Sequence, residues 1–244
     1  MNKSNAKNSS SRQASQKPIV IILLGPPGSG KGTQANLLAE YFNLYCLETS
    51  KIGEEKIKQA KKEDFIVIKG KKYYLQEERK KWEKGELWDP FFAAYLIKKE
   101  IENLARQKTG IVFQGSPRTV EEAKEIIPFL EKYYQKSNIK IFLLEQNVEE
   151  SIWRNSHRRI CQLLHHPILY HKETEKLTIC PLDGSKLIKR KLDKPAIIKK
   201  RFLVYQKQTL PLIDYFKKQG FKVFKIDASQ SVAEVFSDIL KKLK

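Results

Sequence analysis

The sequence of 244 residues predicts an α/β fold in which helices cover both faces of a parallel sheet. Short apolar runs alternate with longer segments whose apolar residues recur at helical spacing. A glycine-rich loop directly follows the first apolar run, and 41% of the residues are hydrophobic, which is enough to build one large core. Alternating strands and helices favour a parallel sheet, and ligands then bind at the carboxyl ends of its strands.

The first predicted strand is the apolar run 18–24, and the segment Gly25–Thr33 follows it with the sequence Gly-Pro-Pro-Gly-Ser-Gly-Lys-Gly-Thr. Glycines let the backbone turn its N–H groups toward phosphate oxygens, and a helix that begins near Lys31 directs its positive dipole end at the same anion. Lys31 adds a positive charge, and Thr33 offers a hydroxyl to Mg²⁺. The residues predicted to bind the phosphates of a nucleoside triphosphate are Gly25, Gly28, Ser29, Gly30, Lys31, Gly32 and Thr33.

The later elements continue the α/β pattern as one domain, residues 18–244. In order, we predict helices at 54–62 and 76–84 with a hairpin or extended loop at 65–75, a helix at 90–107, a strand at 110–113, a helix at 120–135, a strand at 139–144, a helix at 148–159, an irregular segment at 160–192, a helix at 195–219, a strand at 221–226 and a helix at 231–243. Residues 1–17 are rich in Ser, Asn and Lys and have no acidic residue, so we expect a disordered basic tail. An organelle transit peptide is the weaker interpretation, because the tail has no apolar face.

The net charge of +19 calls for anionic partners, and nucleotides satisfy part of it. Many lysines lie in pairs that are typical of solvated helix faces, and no nucleic-acid recognition motif accompanies them, so we expect no specific nucleic-acid partner. No run of eighteen apolar residues exists, which predicts no membrane partner. Three scattered cysteines suit a reducing compartment, and we expect a cytoplasmic protein. No heptad repeat suggests association, so we also expect a monomer.

Several segments of the chain resemble the adenylate kinases, which are nucleoside monophosphate kinases of the P-loop class. The segments that carry the resemblance are Gly25–Gln34, Gly115–Thr119, Arg154 with Arg158 and Arg159, Arg190 with Arg201, and Gln208–Tyr215. The resemblance implies a phosphotransferase that transfers the γ-phosphoryl group of MgATP reversibly to AMP and yields two ADP. It also implies a P-loop core sheet, an acceptor-nucleotide segment at about 49–102 and a lid at about 160–192.

The resemblance further implies a positively charged catalytic set. Its members are Lys31, Arg118, Arg154, Arg158, Arg190 and Arg201. Phosphoryl transfer between two polyanions needs positive charge around the moving group, and guanidinium groups bind phosphate oxygens bidentately. Arg118 would hold the α-phosphate of the acceptor, while the other arginines would surround the transferred group. Arg154 and Arg158 are four residues apart, which places both on one face of the predicted helix.

The acceptor half departs from the pattern of the family. Thr49, Arg118 and Glu122 are the residues that the resemblance assigns to the acceptor nucleotide. Glu54 stands where the family usually has an arginine, Gln114 replaces an aspartate that helps to order Mg²⁺, and Glu122 replaces a glutamine that contacts adenine. Two alternatives therefore stay open, a kinase for another nucleoside monophosphate and an ATP-binding protein with weak or no kinase activity.

The predicted lid contains a candidate zinc site. Cys161 and the turn Cys180-Pro-Leu-Asp183 resemble the zinc-binding lid of some members of the family, but Leu164 stands where the first pair would have its second cysteine. The missing ligand would come from His165, His166 or His171. The candidate set is Cys161, His165, Cys180 and Asp183. The alternative is a lid held only by packing and hydrogen bonds.

Overall fold

The computed structural model describes residues 18–58, 60–84, 86–170, 172–190 and 193–244, and the predicted basic tail at 1–17 lies outside them. In chain order the elements are β1 (Val20–Leu24), α1 (Lys31–Phe42), β2 (Tyr45–Leu47), α2 (Thr49–Lys58), β3 (Phe65–Ile68), β4 (Lys71–Tyr74), α3 (Leu75–Glu83), α4 (Pro90–Arg106), β5 (Ile111–Gln114), α5 (Val120–Tyr134), β6 (Ile139–Glu145), α6 (Val148–His157), β7 (Arg159–Cys161), β8 (Pro167–Ile168), β9 (Leu187–Ile188), α7 (Pro195–Val204), α8 (Pro211–Lys218), β10 (Val223–Asp227) and α9 (Val232–Leu243).

The central sheet has five parallel strands in the order β10-β6-β1-β5-β2, which confirms the predicted fold class. Its middle strand, β1, is buried over its whole length, and the glycine loop leaves from its carboxyl end. Strand β2 was not predicted, because its three residues are too few to show a period of two.

Alternate side chains of β1 belong to two different layers of the hydrophobic core. Val20, Ile22 and Leu24 pack on the face that α4, α5 and α8 cover. Ile21 and Leu23 pack on the opposite face, which α1 and α9 cover. Successive side chains of a strand point to opposite faces, so an apolar run without polar breaks requires helices on both sides.

The segment between α2 and α3 forms a hairpin, which is one of the two predicted possibilities. Strands β3 and β4 pair antiparallel, and their turn places Lys69 at φ 50° and Gly70 at φ 80°. Positive φ at both central residues is the conformation of a type I′ hairpin turn. Tyr73 is buried beneath the hairpin, and its ring stacks against Phe92 of α4.

Two predicted elements were wrong in detail. The predicted irregular segment 160–192 contains a small antiparallel sheet of order β8-β7-β9, whose strands are only two or three residues long. The predicted single helix 195–219 is interrupted by a π-helical turn at Tyr205–Thr209. Pro211 follows this turn and has no backbone N–H to donate, so the regular hydrogen-bond ladder cannot run through it. In the described part of the chain, no helix has the length and apolarity needed to cross a membrane.

Candidate functional site

The glycine loop joins the carboxyl end of β1 to the start of α1, as predicted. Gly28 has φ 82°, and a Cβ at this position would lie 2.3 Å from Nδ2 of Asn155 in α6. Ser151, one turn earlier in α6, donates a hydrogen bond from its hydroxyl to the carbonyl of Pro27. Only glycine accommodates both the left-handed backbone and this close approach, so α6 fixes the shape of the loop.

Lys31 lies against the loop, with its ammonium nitrogen 2.8 Å from the carbonyl oxygen of Gly25 and 2.7 Å from that of Pro26. Burial and three nearby guanidinium groups lower the pKa of Lys31 to about 7. Those groups belong to Arg118, Arg201 and Arg158. In the free protein, the positive charges around the ammonium group of Lys31 are therefore not balanced by negative ones.

Four of the five predicted arginines form one electrostatic cluster with Lys31. They are Arg118, which follows β5, Arg158, at the end of α6, Arg190, which precedes α7, and Arg201, within α7. Burial and the positive charges of the other three arginines lower the pKa of Arg201 to about 10. Mutual repulsion of this kind creates a strong positive potential, which an oligophosphate can neutralise.

Local contacts hold the side chain of Arg118 beside Lys31. A Cβ on Gly115 would lie 3.7 Å from both Nη2 of Arg118 and Cε of Lys31, so the two side chains flank the same glycine. Nε of Arg118 donates to the carbonyl of Gly115 at 2.7 Å, and the Arg118 carbonyl accepts from the hydroxyl of Thr209 at 2.9 Å. The terminal nitrogens of the guanidinium make no hydrogen bond to a described residue, so they are available to a ligand.

Arg154 does not join this cluster, which corrects the prediction. Its guanidinium donates to the carboxylate of Glu150 and to the carbonyls of Ala228 and Ser229, at 2.6 to 3.0 Å. Helix α6 ends at His157, and Arg158 has an extended backbone with ψ 136°. The backbone N–H of Arg158 nevertheless donates to the carbonyl of Arg154 at 2.9 Å, so the two residues lie one turn apart as predicted. Their guanidinium groups bind different partners, the carbonyls of Ala228 and Ser229 for Arg154 and the carboxylate of Asp193 for Arg158.

The predicted acceptor residue Thr49 begins α2 and is buried. Its hydroxyl lies 2.7 Å from that of Ser116 in the loop after β5. Glu54, one turn further along α2, forms an ion pair with Lys58 at 2.8 Å, so its carboxylate is directed to a neighbour on the same helix. The pairing of Thr49 with Ser116 was not predictable from either residue alone, because the two are 67 positions apart.

Glu122 does not have the position expected for contact with an acceptor base. Its side chain is 3% exposed, and Oε2 accepts the backbone N–H of Arg118 at 2.8 Å. Glu122 is the third residue of α5 and follows the N-cap residue Thr119, a position whose carboxylate often bonds to free N–H groups at the start of a helix. Burial raises the pKa of this carboxyl group. The other oxygen, Oε1, is buried with no hydrogen-bond partner among the described residues.

Gln114, which replaces the expected aspartate, lies at the carboxyl end of β5 against the first turn of α1. A Cβ on Gly32 would be 2.9 Å from its Nε2 atom. Its Oε1 atom lies 3.7 Å from the thiol sulfur of Cys46. The amide thus faces the segment that contains Thr33, but it brings no charge to that place.

Four potential metal ligands converge in the small sheet of the predicted lid. They are Cys161, His166, Cys180 and Asp183, and their ligand atoms lie within 4.8 Å of one another. The structure therefore replaces the predicted His165 by His166. His165 is exposed and has a left-handed backbone with φ 57°, which turns it out of the cluster, while the third candidate, His171, lies outside the described residues.

Hydrogen bonds and close polar contacts link the four residues of this cluster to one another. The thiol of Cys161 donates to Oδ2 of Asp183 at 2.8 Å, and the backbone N–H of His166 lies 3.0 Å from the same sulfur. Nδ1 of His166 is 3.4 Å from the carboxylate of Asp183 and 3.7 Å from the sulfur of Cys180. Two thiols, an imidazole and a carboxylate form a donor set that suits tetrahedral Zn²⁺.

Sequence reasoning missed the residues that support the site. They are Ser116, Ser151, Asn155, Asp193 and Thr209. Ser151 and Asn155 are four apart in α6 and fully buried, and polar residues at helical spacing were the available signal. Ser116, Asp193 and Thr209 each contact a residue that is distant in the chain. Contacts of this kind leave no local pattern in the sequence.

The fold and the site together define a class of protein. A glycine loop with its lysine follows the central strand of a parallel sheet, and arginines from three other places surround that lysine. This is a P-loop phosphotransferase, in which phosphate binding and positive charge are concentrated at one end of the sheet.

Comparisons with known proteins identify the family. The family model described as adenylate kinase matches residues 23–221. A protein named adenylate kinase in Petrotoga mobilis is 30% identical over 228 residues, which cover 92% of this chain and 97% of that protein. One of the same name in Caldanaerobacter subterraneus subsp. tengcongensis is 34% identical, with 91% and 95% covered, and adenylate kinase 2 of Schistosoma mansoni is 34% identical, with 91% and 88% covered. The chain belongs to the adenylate kinase family, and it is a phosphotransferase.

Proposed function

We propose that this chain transfers the γ-phosphoryl group of MgATP reversibly to AMP and yields two ADP. The observation that supports this function most is the convergence of Lys31 with four arginines beside the glycine loop. ATP and AMP are both polyanions, and their approach is unfavourable unless fixed positive charges surround the reacting oxygens. The cluster supplies those charges from the acceptor side, the lid side and the loop.

The glycine loop is the donor half of the proposed site. Its backbone N–H groups and the first turn of α1 would bind the β- and γ-phosphates of ATP, while the hydroxyl of Thr33 would be a ligand of the Mg²⁺ that arrives with the nucleotide. Lys31 now bonds to the carbonyls of Gly25 and Pro26. Phosphate oxygens would replace those carbonyls, and their negative charge would keep the ammonium protonated.

Arg118 and Thr49 would bind the acceptor, and the remaining arginines would contact the transferred group. The free terminal nitrogens of Arg118 suit bidentate contact with the α-phosphate. Arg158, Arg190 and Arg201 would stabilise the charge on the equatorial oxygens of the moving phosphoryl group, which passes directly from one nucleotide to the other without a covalent intermediate. Segment 49–102 would act as the acceptor-nucleotide segment. Segment 160–192 would act as a lid that excludes water and so prevents hydrolysis of ATP.

A substitution of Arg201 tests the cluster. We expect Arg201→Met to lower kcat by roughly 100-fold to 10,000-fold with little loss of fold, because an interaction made mainly in the transition state is removed. Arg106→Met is the matched control, since Arg106 is exposed and, among the described residues, pairs only with Glu102. Equal activity of both variants in a coupled ADP assay would exclude this role for the cluster.

A second candidate function is a kinase for another nucleoside monophosphate. It is favoured by Glu54, which stands where the family usually has an arginine and whose carboxylate pairs with Lys58 at 2.8 Å. Assays with AMP, GMP, CMP, UMP and dTMP, each with MgATP, separate the candidates by their kcat/KM values. The highest value for AMP supports the first proposal, and ATP binding without turnover of any acceptor supports a binding protein.

Zinc is proposed as a structural ion of the lid. Cys161, His166, Cys180 and Asp183 would be its ligands. Its contribution would be to hold the lid together, since among the described residues the apolar core there contains only Ile168 and Leu187 besides the two cysteines. We also propose a monomer that works in the cytoplasm. The free thiols of Cys46, Cys161 and Cys180 are consistent with that compartment.

A further inference from the structure

The part of the chain that is proposed to bind the acceptor has a small hydrophobic core of its own. Ile57 of α2, Tyr73 of β4 and Leu75 of α3 pack with Phe92 and Leu96 of α4. We call α2, the hairpin, α3 and the start of α4 the acceptor unit. Later residues of α4 pack in the core on one face of the central sheet, so this helix joins the unit to the rest of the molecule. A unit with a separate core can shift as one body, and its position then depends on its contacts with neighbouring elements.

One such contact lies at the turn of the hairpin. The ammonium group of Lys69, in this turn, forms an ion pair with Oε1 of Glu125 in α5. The ammonium nitrogen of Lys98 in α4 lies 2.5 Å from Oε2 of the same carboxylate. Burial favours the neutral form of Glu125, but the hydrogen bonds from the two lysines hold its pKa below the ordinary value. One ionised carboxylate therefore joins the hairpin, α4 and α5.

The hairpin turn is also held against the start of α4. The ammonium group of Lys69 lies 4.9 Å from the centre of the Phe91 ring, and that of Lys71 lies 3.7 Å from the carboxylate of Asp89, the N-cap residue of α4. A cation over an aromatic ring is attracted to it. The turn therefore contacts α4 on one side and α5 on the other, so it can transmit the position of α5 to the acceptor unit.

The acceptor unit is attached at two points on either side of Arg118. At the first, the hydroxyl of Thr49 lies 2.7 Å from that of Ser116, which precedes Arg118 in the same loop. At the second, Lys69 meets Glu125 in the second turn of α5. Both points lie on the stretch 116–125, which also contains the guanidinium group proposed to bind the acceptor. The distance between the acceptor unit and this guanidinium group therefore depends on whether the second contact is made.

We propose that Glu125 is a positioning residue for the acceptor nucleotide: with Lys69 and Lys98 it holds the acceptor unit at the distance from Arg118 at which a nucleoside monophosphate contacts both. This inference rests on the proposed function, since it concerns the acceptor half of that site. Glu125 acts through the two lysines and does not itself touch the nucleotide. Without its carboxylate, part of the binding free energy would go into ordering the unit, so the affinity for the acceptor would fall while the donor half is unaffected.

Steady-state kinetics with the monophosphate of highest kcat/KM test this role. We expect Glu125→Gln to raise the KM for this acceptor by roughly threefold to tenfold, because a partly buried carboxylate loses two ion pairs, and to leave kcat and the KM for ATP within about twofold. Lys69→Met removes one of the two pairs and should raise the acceptor KM less. The double variant should match Glu125→Gln, since Lys69 acts through that carboxylate.

Glu131→Gln is the matched control. It makes the same change further along α5, at a carboxylate that forms no ion pair with a described residue, and its acceptor KM should equal that of the unaltered chain. An unchanged acceptor KM in Glu125→Gln would overturn the proposal. A lower one would do the same, because the contact would then hold the unit away from Arg118. A raised KM in Glu125→Gln with none in Lys69→Met or Lys98→Met would mean that the carboxylate touches the nucleotide itself, which also contradicts the proposal.

Hydrogen exchange without nucleotide keeps this test separate from the proposed function. If the unaltered chain turns over no acceptor, the proposed function fails, but the contact itself can still be examined. We expect Glu125→Gln to speed amide exchange in the hairpin and α2 and to leave the strands of the central sheet unchanged. Equal exchange of the hairpin in both proteins would show that the carboxylate does not hold the unit. Faster exchange throughout the chain would show a loss of stability in place of positioning.

Discussion

Arg158 and Asp193 form a bidentate ion pair, with Nη2 of the arginine 2.7 Å from Oδ1 and Nε 3.0 Å from Oδ2 of the aspartate. Asp193 is 8% exposed and precedes α7 by two residues, whereas Arg158 follows the last residue of α6. The pair therefore joins the end of one helix to the start of the next. It also holds one of the four clustered guanidinium groups in place.

Asp193→Asn should weaken both the fold and the proposed reaction. Removal of one charge from a largely buried pair leaves Arg158 without its counter-charge, and we expect the free energy of unfolding to fall by about 2 kcal/mol. Urea unfolding measures this loss, and a lower kcat is expected alongside. Glu150→Gln is the control, because the pair of Glu150 with Arg154 is more exposed and its loss should cost about 0.5 kcal/mol. Equal losses in the two variants would contradict the importance of the first pair.

Lys31 should make stability depend on pH. Its pKa is about 7 in the folded protein against an ordinary value of 10.5, so between these values the unfolded chain binds more protons than the folded one. Stability from this group therefore rises with pH across that window and is constant outside it. We expect the free energy of unfolding of the unaltered chain, relative to Lys31→Met, to increase from pH 7 to pH 10. Urea titrations of both proteins measure the difference, and a flat or falling curve would refute the lowered pKa.

Gly28→Ala should destabilise the glycine loop through a steric clash. The new Cβ would meet Nδ2 of Asn155 at 2.3 Å, in addition to the unfavourable positive φ. We expect a loss of about 3 kcal/mol in thermal or urea unfolding. Gly70→Ala separates the two causes, because Gly70 also has positive φ but has nothing within 4 Å, and its loss should be about 1 kcal/mol. Similar losses at the two positions would mean that α6 does not constrain the loop.

His166→Ala should remove zinc from the lid, whereas His165→Ala should not. Only the first of these neighbours faces the two thiols and the carboxylate, and loss of one of four ligands weakens a tetrahedral site severely. Elemental analysis of protein purified with added zinc is expected to find one ion per chain in the unaltered protein and in His165→Ala. If His166→Ala still binds zinc, the result would favour the ligand set expected from the sequence, in which His165 is the fourth ligand.

The parts of the fold that follow a local pattern were predictable. The buried run of β1 and the glycine loop lie within fifteen residues, and the structure places them as expected. The strands of the small sheet in the lid are two or three residues long, so they carry no period and were missed. The π-helical turn was missed as well, since a single turn leaves the apolar spacing of a helix nearly unchanged.

Side-chain directions were the less predictable part of the site. Arg154 matches the motif in sequence, but its guanidinium binds the carbonyls of Ala228 and Ser229. Glu122 was expected to face a ligand, yet the free N–H groups at the start of α5 attract its carboxylate inward. Of the adjacent histidines 165 and 166, the left-handed backbone of the first decides which one meets the cysteines. Each outcome depends on a tertiary contact or on one dihedral angle, which motif spacing does not encode.

The mutual repulsion within the arginine cluster also bears on the lifetime of the protein. A folded state that concentrates positive charge is stabilised by any oligophosphate that it binds, because a bound ligand shifts the folding equilibrium by about 2.7 kcal/mol at a concentration one hundred times its Kd. The unfolded chain does not assemble this cluster. Adenine nucleotides would then act as counter-ions that protect the enzyme from degradation. A cell with scarce nucleotides would hold less of it.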